Sequence, residues 1–460
     1  MVVLLAVFAL RLGLAWLSPT IHHADEIYQV SEQAHRAVHG YGIESWEFRA
    51  GARAGIYPAM VLPIYRLDVP VAVRQFLVAV LFTTLSLVPV AVAFLWASAL
   101  YGVRGGIVAA VMMGTWFELV YFAPRLTGDA LGAYFFFPAL FLGRPAARTA
   151  DVFLAGVCLS LAVLFRMQIA PAVALTALLL FSLDWRQRLA PLSLGLVAGL
   201  AVVGLIEWLW WGVPFKGHWG YLSVEFVHGA STYFTREPLT FFAKNYILIY
   251  GGALPLIVAL AYGGLVRAPI LLVAAIALIL PFHLVAHKEY RFLVPALPVL
   301  LIAMGLAAAA LVTRVERLAR PRSLLLALVA WLTAMTAMSW GDTYRPNWTR
   351  QRNHVRAFRE IGRQPDVCGL ALVGIRWYHT PGYAGLGRDV PMYEAGREGL
   401  PQALTAAANY VVLGHKVPPP PAPYERWLEY SRPVEYVYRR SGGCVTTDEF
   451  RVKPVGIPGT

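Results

Sequence analysis

The chain has 460 residues, of which 58% are hydrophobic and 14% charged, against roughly a quarter charged in an ordinary soluble domain. A mean hydropathy of +0.59 excludes one large soluble enzyme. The net charge of +13 comes from Arg dispersed through loops and tail, which argues against a nucleic-acid groove, and three Cys are too few for a zinc ribbon or a disulfide scaffold.

Apolar runs occupy residues 1–19, 70–100, 104–121, 130–143, 152–165, 168–183, 189–211, 246–265, 268–286, 292–313 and 323–340. They predict an all-α polytopic membrane protein over residues 1–340, with about eleven transmembrane helices. The 14 Trp and 22 Tyr suit interfacial belts. The first run resembles a signal-peptide core, but Arg11 interrupts it and no small-x-small site precedes Pro19, so it reads as a retained first span.

Short breaks carrying Arg104, Arg144 and Arg148, Arg186 and Arg188, Arg267, and Arg314 to Arg322 predict the cytoplasmic face. An odd number of spans then places loops 20–69 and 212–245 and the tail from residue 341 together on the opposite face. Arg far outnumbers Lys and Ala and Leu abound, which points to a bacterial genome, and so to an inner (plasma) membrane with these loops facing the periplasm or exterior.

The first long loop opens with His22-His23-Ala24-Asp25-Glu26, after which Ile27, Val30, Ala34 and Val38 recur at helical spacing. This predicts an amphipathic helix along the membrane surface, ended at Gly40-Tyr41-Gly42. Asp25 at its start either caps the helix or takes a proton from an acceptor hydroxyl, with Glu26 as a candidate helper. His35 is a candidate substrate contact, and with His39 one turn on a metal site is conceivable, although hydrogen-bonding histidines at an interface are commoner.

Arg125-Leu126-Thr127-Gly128-Asp129 lies at a later break on the same face. Arg125 and Asp129 either pair with each other across one helical turn, or Arg125 holds a phosphate while Asp129 touches substrate. Arg166 and Gln168 could add to that mouth or only snorkel. Between two further apolar runs stands His287-Lys288-Glu289-Tyr290-Arg291-Phe292, a costly composition for a plain turn. His287, Lys288 and Arg291 can balance the charge of a departing lipid phosphate.

Residues 341–460 predict a small soluble α/β domain. A helix is expected over His354 to Arg363, strands at 369–375, 410–414 and 434–438, and a hairpin about Gly442-Gly443. Pro418 to Pro421 reads as a stiff spacer. Cys368 and Cys444 could join in a disulfide if the tail faces an oxidising compartment. Tyr378 and His379 are candidate ligand contacts or part of a structural loop.

Three stretches carry a family resemblance. His23-x-Asp25-Glu26-x-x-Gln29, continuing through Ala34-His35, Gly40-Tyr41-Gly42, Trp46-Glu47-Phe48, Arg53 and Tyr57-Pro58, resembles the first luminal loop of the mannosyltransferases of N-glycan-precursor and GPI-anchor assembly. These form glycosyltransferase family 22 of the GT-C superfamily. His287-Lys288-Glu289-x-Arg291-Phe292-x-x-Pro295 resembles their late loop, and Tyr378-His379-Thr380-Pro381-x-Tyr383 a stretch of the GPI third-mannose branch.

The resemblance implies a GT-C fold and an inverting transfer with Asp25 as general base. It also implies a polyprenyl-phosphate mannose donor and a glycan or glycolipid acceptor away from the cytosol. Two stretches depart from the pattern: Arg125 to Asp129, and Ser231-Thr232-Tyr233-Phe234-Thr235-Arg236-Glu237-Pro238 in the middle loop, so acceptor and sugar stay open.

A monophosphate leaving group can be balanced by Arg and Lys, and no Asp-x-Asp pair is present, so no metal or other cofactor is expected. Gly102-Val103-Arg104-Gly105-Gly106 lacks the strand–loop–helix context of a nucleotide loop. A GT-C transferase of another polyprenyl-phosphate sugar is one alternative. A lipid transporter with intramembrane Glu207 is another, but the ionisable clusters gather at span ends and no repeat is visible.

Overall fold

The computed structural model describes residues 1–229, 236–431, 434–454 and 456. Each of the eleven apolar runs coincides with helix. Five helical stretches are long and apolar enough to cross a membrane: Val71–Thr115, Trp185–Trp211, Phe241–Leu265, Tyr290–Arg314 and Pro321–Trp340. The other apolar helices run 10–17 residues, so among the described residues length and composition pick out five helices able to cross, and eleven spans stays an expectation. Val71–Thr115 accounts for two expected runs, because Tyr101 and Gly102 leave helical geometry and Gly102 takes φ +68°, a conformation open to glycine.

Small residues let the helices approach. A Cβ on Gly156 would lie 2.3 Å from the Leu192 carbonyl oxygen, and one on Gly195 2.0 Å from that of Phe153, so Thr149–Phe165 and Trp185–Trp211 pack backbone to backbone. Arg11, the charge inside the first apolar run, is buried and satisfied: it donates to the carbonyls of Ser86 (2.7 Å), Met113 and Gly114 (both 3.2 Å). Glu207 accepts from the backbone N–H groups of Gly55 and Gly217, tying both long loops to one helix. That explains the intramembrane carboxylate without a transport role.

The tail holds a five-stranded sheet: β1 (Leu370–Val373), β2 (Met392–Ala395), β3 (Tyr410–Leu413), β4 (Glu425–Tyr430) and β5 (Glu435–Arg439), in the order β2-β1-β3-β5-β4. β1 runs parallel to β2 and β3, while β5 is antiparallel to β3 and β4. Leu370, Leu372, Tyr410 and Val412 face a core shared with Phe358 and Ile361, and Ala371, Val373, Val411 and Leu413 face a second. Burial on both faces gives β1 and β3 the continuous apolar runs seen in the sequence.

The expected hairpin is displaced. β4 and β5 form it, and Gly442-Gly443 instead leads to Cys444, which is disulfide-bonded to Cys368. The amphipathic helix, Arg352–Gly362, falls where expected.

The first-loop helix runs as Ala24–Glu26, Ile27–Ser31 and Glu32–His39, ended by Gly40 at φ +80°. It is not a surface helix. Residues 28–35 are buried, with Ala34 packed in the main bundle core and Tyr28 in the core of the tail. The Tyr28 hydroxyl donates to the Trp377 carbonyl (2.7 Å), and the Glu32 carboxylate accepts from the backbone N–H groups of Ile43 (2.8 Å), Tyr383 (3.2 Å) and Ala384 (2.8 Å). Burial pushes the Glu32 carboxyl up to about 7 against the pull of these donors. The helix is thus clamped between bundle and tail.

Candidate active site

The start of this helix separates two adjacent carboxylates. His23 is the N-cap, and Glu26 completes a capping box, accepting from the backbone N–H groups of His22 (2.8 Å) and His23 (3.1 Å). Glu26 also pairs with Arg125 at 3.2 Å. Capping therefore falls to Glu26, and the Asp25 side chain points elsewhere: its carboxylate is 3.1 Å from His23 Nδ1 and 2.8 Å from Arg291 Nη2.

Arg291 enters from the short helix Tyr290–Ala296, 266 positions along the chain. Its Nε donates to Glu289 Oε2 at 2.7 Å, and its Nη1 lies 3.8 Å from Asp129. Asp129, fully buried, also meets Arg166 Nε at 2.9 Å, and His287 Nε2 lies 3.0 Å from Glu289. Burial raises the proton affinity of Asp25, but His23 and Arg291 outweigh it and hold the carboxyl well below the usual carboxylate range. Arg291 and His287 likewise depress Glu289.

Asp25, His287, Glu289, Arg291 and Arg166 face a cavity of about 890 Å³ lined by all three resembling stretches: His23, Asp25, Gln29 and Glu47 from the first loop, His287 to Phe292 from the late loop, and Trp377 and Tyr378 from the tail. Asp129, expected to touch substrate, is outside this lining, fully buried behind Arg166 and Arg291. Arg166 and Gln168 contribute from a fourth segment. Lys288 is 4% exposed, and its ammonium donates to the carbonyls of Glu237 (3.1 Å) and Val285 (2.5 Å), with no carboxylate partner among the described residues.

Several expected site residues lie elsewhere. Arg125 does not pair with Asp129 and does not line this cavity: it donates to the Thr20 carbonyl (3.0 Å) and hydroxyl (2.7 Å) and stacks 3.8 Å over the Tyr121 ring, bracing the turn before the helix. Glu26 points to the same side, one residue further round the helix than Asp25. His35 faces a separate cavity. His379 is outside the lining, and its carbonyl accepts from His354 Nδ1 at 2.8 Å. The middle-loop residues Ser231 to Thr235 lie outside the described residues.

Sequence reasoning gave no role to Glu289, which joins His287 to Arg291, or to Glu47, whose Oε1 accepts from Gln29 at 2.7 Å. Both sit inside the quoted motifs, where their spacing to charged neighbours was the available signal. Arg350, from the tail, carried none.

The chain is similar in sequence and in fold to known proteins. The model of the Alg9-like mannosyltransferase family matches residues 2–386. "GPI mannosyltransferase 3" of Yarrowia lipolytica is 25% identical over 430 residues, covering 85% of this chain and 76% of that protein. "GPI alpha-1,2-mannosyltransferase 3" of Danio rerio is 25% identical over 303 residues, covering 62% and 55%. The crystal structure of ArnT from Cupriavidus metallidurans bound to undecaprenyl phosphate shares the fold with a TM-score of 0.63 at 14% identity, covering 95% of this chain and 96% of that one. By the match over most of its length, this chain belongs to the Alg9-like mannosyltransferase family and is a membrane glycosyltransferase.

Proposed function

We propose that the protein transfers mannose from a polyprenyl-phosphate donor to a hydroxyl of a glycan or glycolipid acceptor, with inversion, at the face of the membrane away from the cytoplasm. The observation that carries this reading is the meeting of Asp25 and Arg291 at 2.8 Å on one cavity wall, with Lys288 beside them.

Asp25 accepts the acceptor hydroxyl's proton while that oxygen bonds to C1 of the sugar and the C1–O bond to phosphate breaks. The lipid phosphate leaves with the bonding electron pair. Lys288 and Arg291, with His287, balance its growing charge, which no required metal shares. Arg291 also governs the base. As it turns toward the departing phosphate, its hold on Asp25 loosens, and the carboxylate's proton affinity rises when a proton must be taken. Tyr378 and Arg166 contact the sugar or the acceptor.

The test is to incubate purified protein with radiolabelled polyprenyl-phosphate mannose and a lipid extract of the host, and in parallel with the glucose analogue. Label should pass from the mannose donor alone to a lipid-extractable product, without added divalent cation. Transfer from glucose only would assign another polyprenyl-phosphate sugar, and transfer from neither would contradict the reading.

A further inference from the structure

A second cavity, of about 380 Å³, lies at the other end of the first-loop helix, between the start of Val71–Leu85 and the tail. Its lining is basic. Arg74, Arg359, Arg363 and Arg388 meet there with His35 and His39, and Asp68 is the one carboxylate among the described lining residues.

Two of these groups are built in yet incompletely satisfied. His35 is 1% exposed, and neither ring nitrogen has a hydrogen-bond partner among the described residues. Arg74 is 6% exposed, stacks 5.1 Å from the Tyr65 ring centroid, and leaves its Nε without a partner. Buried polar groups are almost always paired, so two unmatched ones on a single cavity ask for a ligand that accepts hydrogen bonds. The outer guanidiniums are held in place: Arg359 Nε donates to Gln75 Oε1 (2.6 Å) and Arg388 Nε to the Gly362 carbonyl (2.9 Å). Arg74 also stands in the first turn of its helix, where the dipole adds positive potential.

A crevice of about 140 Å³ adjoins this cavity through Ala72 and Arg359; its lining is mostly apolar, with Leu14, Trp16, Phe76 and Ala79, and also includes the mutually paired Glu26 and Arg125. Basic cavity and apolar crevice together have the shape of an amphiphile. We propose that this is a lipid site, in which the phosphate of an anionic membrane lipid, a monoester or a diester, sits among Arg74, Arg388 and His35. Its hydrocarbon chain runs along the crevice beside Trp16 and Phe76. Guanidinium recognises phosphate through paired donors, and neutral His35 supplies an N–H. The site stands apart from Asp25 and does not rest on the transfer reaction.

The test uses the full chain in detergent, exchanged against vesicles of equal phosphatidylglycerol and phosphatidylcholine, with retained lipid counted by native mass spectrometry. The wild type should retain phosphatidylglycerol at least about tenfold over phosphatidylcholine, and Arg74→Gln and the exposed Arg388→Gln should each weaken that preference about tenfold, the scale of one lost charge-assisted contact. Arg426→Gln, on the exposed edge strand and outside both cavities, should leave it unchanged. Calorimetric titration with inorganic phosphate separates the sources: saturable binding lost in Arg388→Gln, without lipid preference, keeps the anion site but overturns the lipid assignment. Equal retention of both lipids by wild type and variants, with no phosphate binding, overturns the proposal.

Discussion

At the Asp25 end of the first-loop helix, Arg291 lies within 4 Å of Asp25, Glu289 and Asp129, and Arg166 meets Asp129. At the His35 end, four arginines face a single lining carboxylate. The first cluster is balanced before any ligand arrives, so an incoming phosphate redistributes existing pairs. The second carries an excess of positive charge on its lining, where only Arg363 has a short ion pair, to Glu360 at 2.7 Å, among the described residues, and it can take further counter-charge from a ligand. Balanced clusters suit chemistry in which charge moves, and unbalanced ones suit holding an anion.

Lys288 is the sharpest way to break this comparison, because it stands in the balanced cavity without a carboxylate of its own. Losing its contact should cost roughly 2–4 kcal/mol in the transition state, on the order of thirty- to a thousand-fold in donor kcat/KM. The apparent affinity for acceptor should barely move. Lower thermal stability with normal specific activity would instead make it an anchor of the turn. Arg291→Ala should lower donor kcat/KM similarly but also cost about 3–5 kcal/mol of stability, because it strands buried carboxylates.

The tail braces both cavities, and Cys444→Ser tests how firmly. The disulfide closes a loop spanning 76 positions, so its loss should destabilise the tail by about 2–4 kcal/mol in denaturant unfolding. An unchanged midpoint would deny the brace.

Glu32 gives a smaller, pH-dependent effect. Its carboxyl is raised from 4.5 to about 7 in the fold, so the folded state binds the extra proton between those values, and stability rises as pH falls through that window. Above pH 7 the full penalty of the buried charge applies. Glu32→Gln keeps an accepting oxygen and removes the titration. The difference in Tm, wild type minus variant, should therefore grow more positive from pH 7.5 to pH 5, and a flat difference would remove Glu32 as the clamp.

A yes-or-no check concerns the faces. Cys introduced at the exposed Asp342 should react with a membrane-impermeant thiol reagent in intact spheroplasts, and Cys introduced at Arg186 should not. The reverse pattern would place the Asp25 cavity in the cytosol.

Much of the bundle was legible because burial in lipid demands long apolar runs, and each run is a helix. The meeting of His287–Phe292 with Asp25 was legible through motif resemblance, since no periodicity links residues 266 positions apart. Local patterns failed where a choice depended on side-chain direction. Asp25 and Glu26 are neighbours with the same chemistry, and only the capping geometry sends one to the cavity and the other to Arg125. β4 was missed because its edge position leaves Glu425 to Tyr430 partly exposed and without an apolar run. The basic cavity was invisible, because Arg74 stands far along the chain from Arg359, Arg363 and Arg388 and no local pattern links them.

The central claim is tested most directly by Asp25→Asn, assayed for donor binding and for transfer on the same purified protein. Asn keeps the shape and the contact to Arg291 but cannot take a proton, so binding of polyprenyl-phosphate mannose should stay within a few-fold of wild type while turnover falls at least about a thousandfold. A well-folded Asn variant that turns over at near wild-type rate would contradict the assignment of Asp25 as the base.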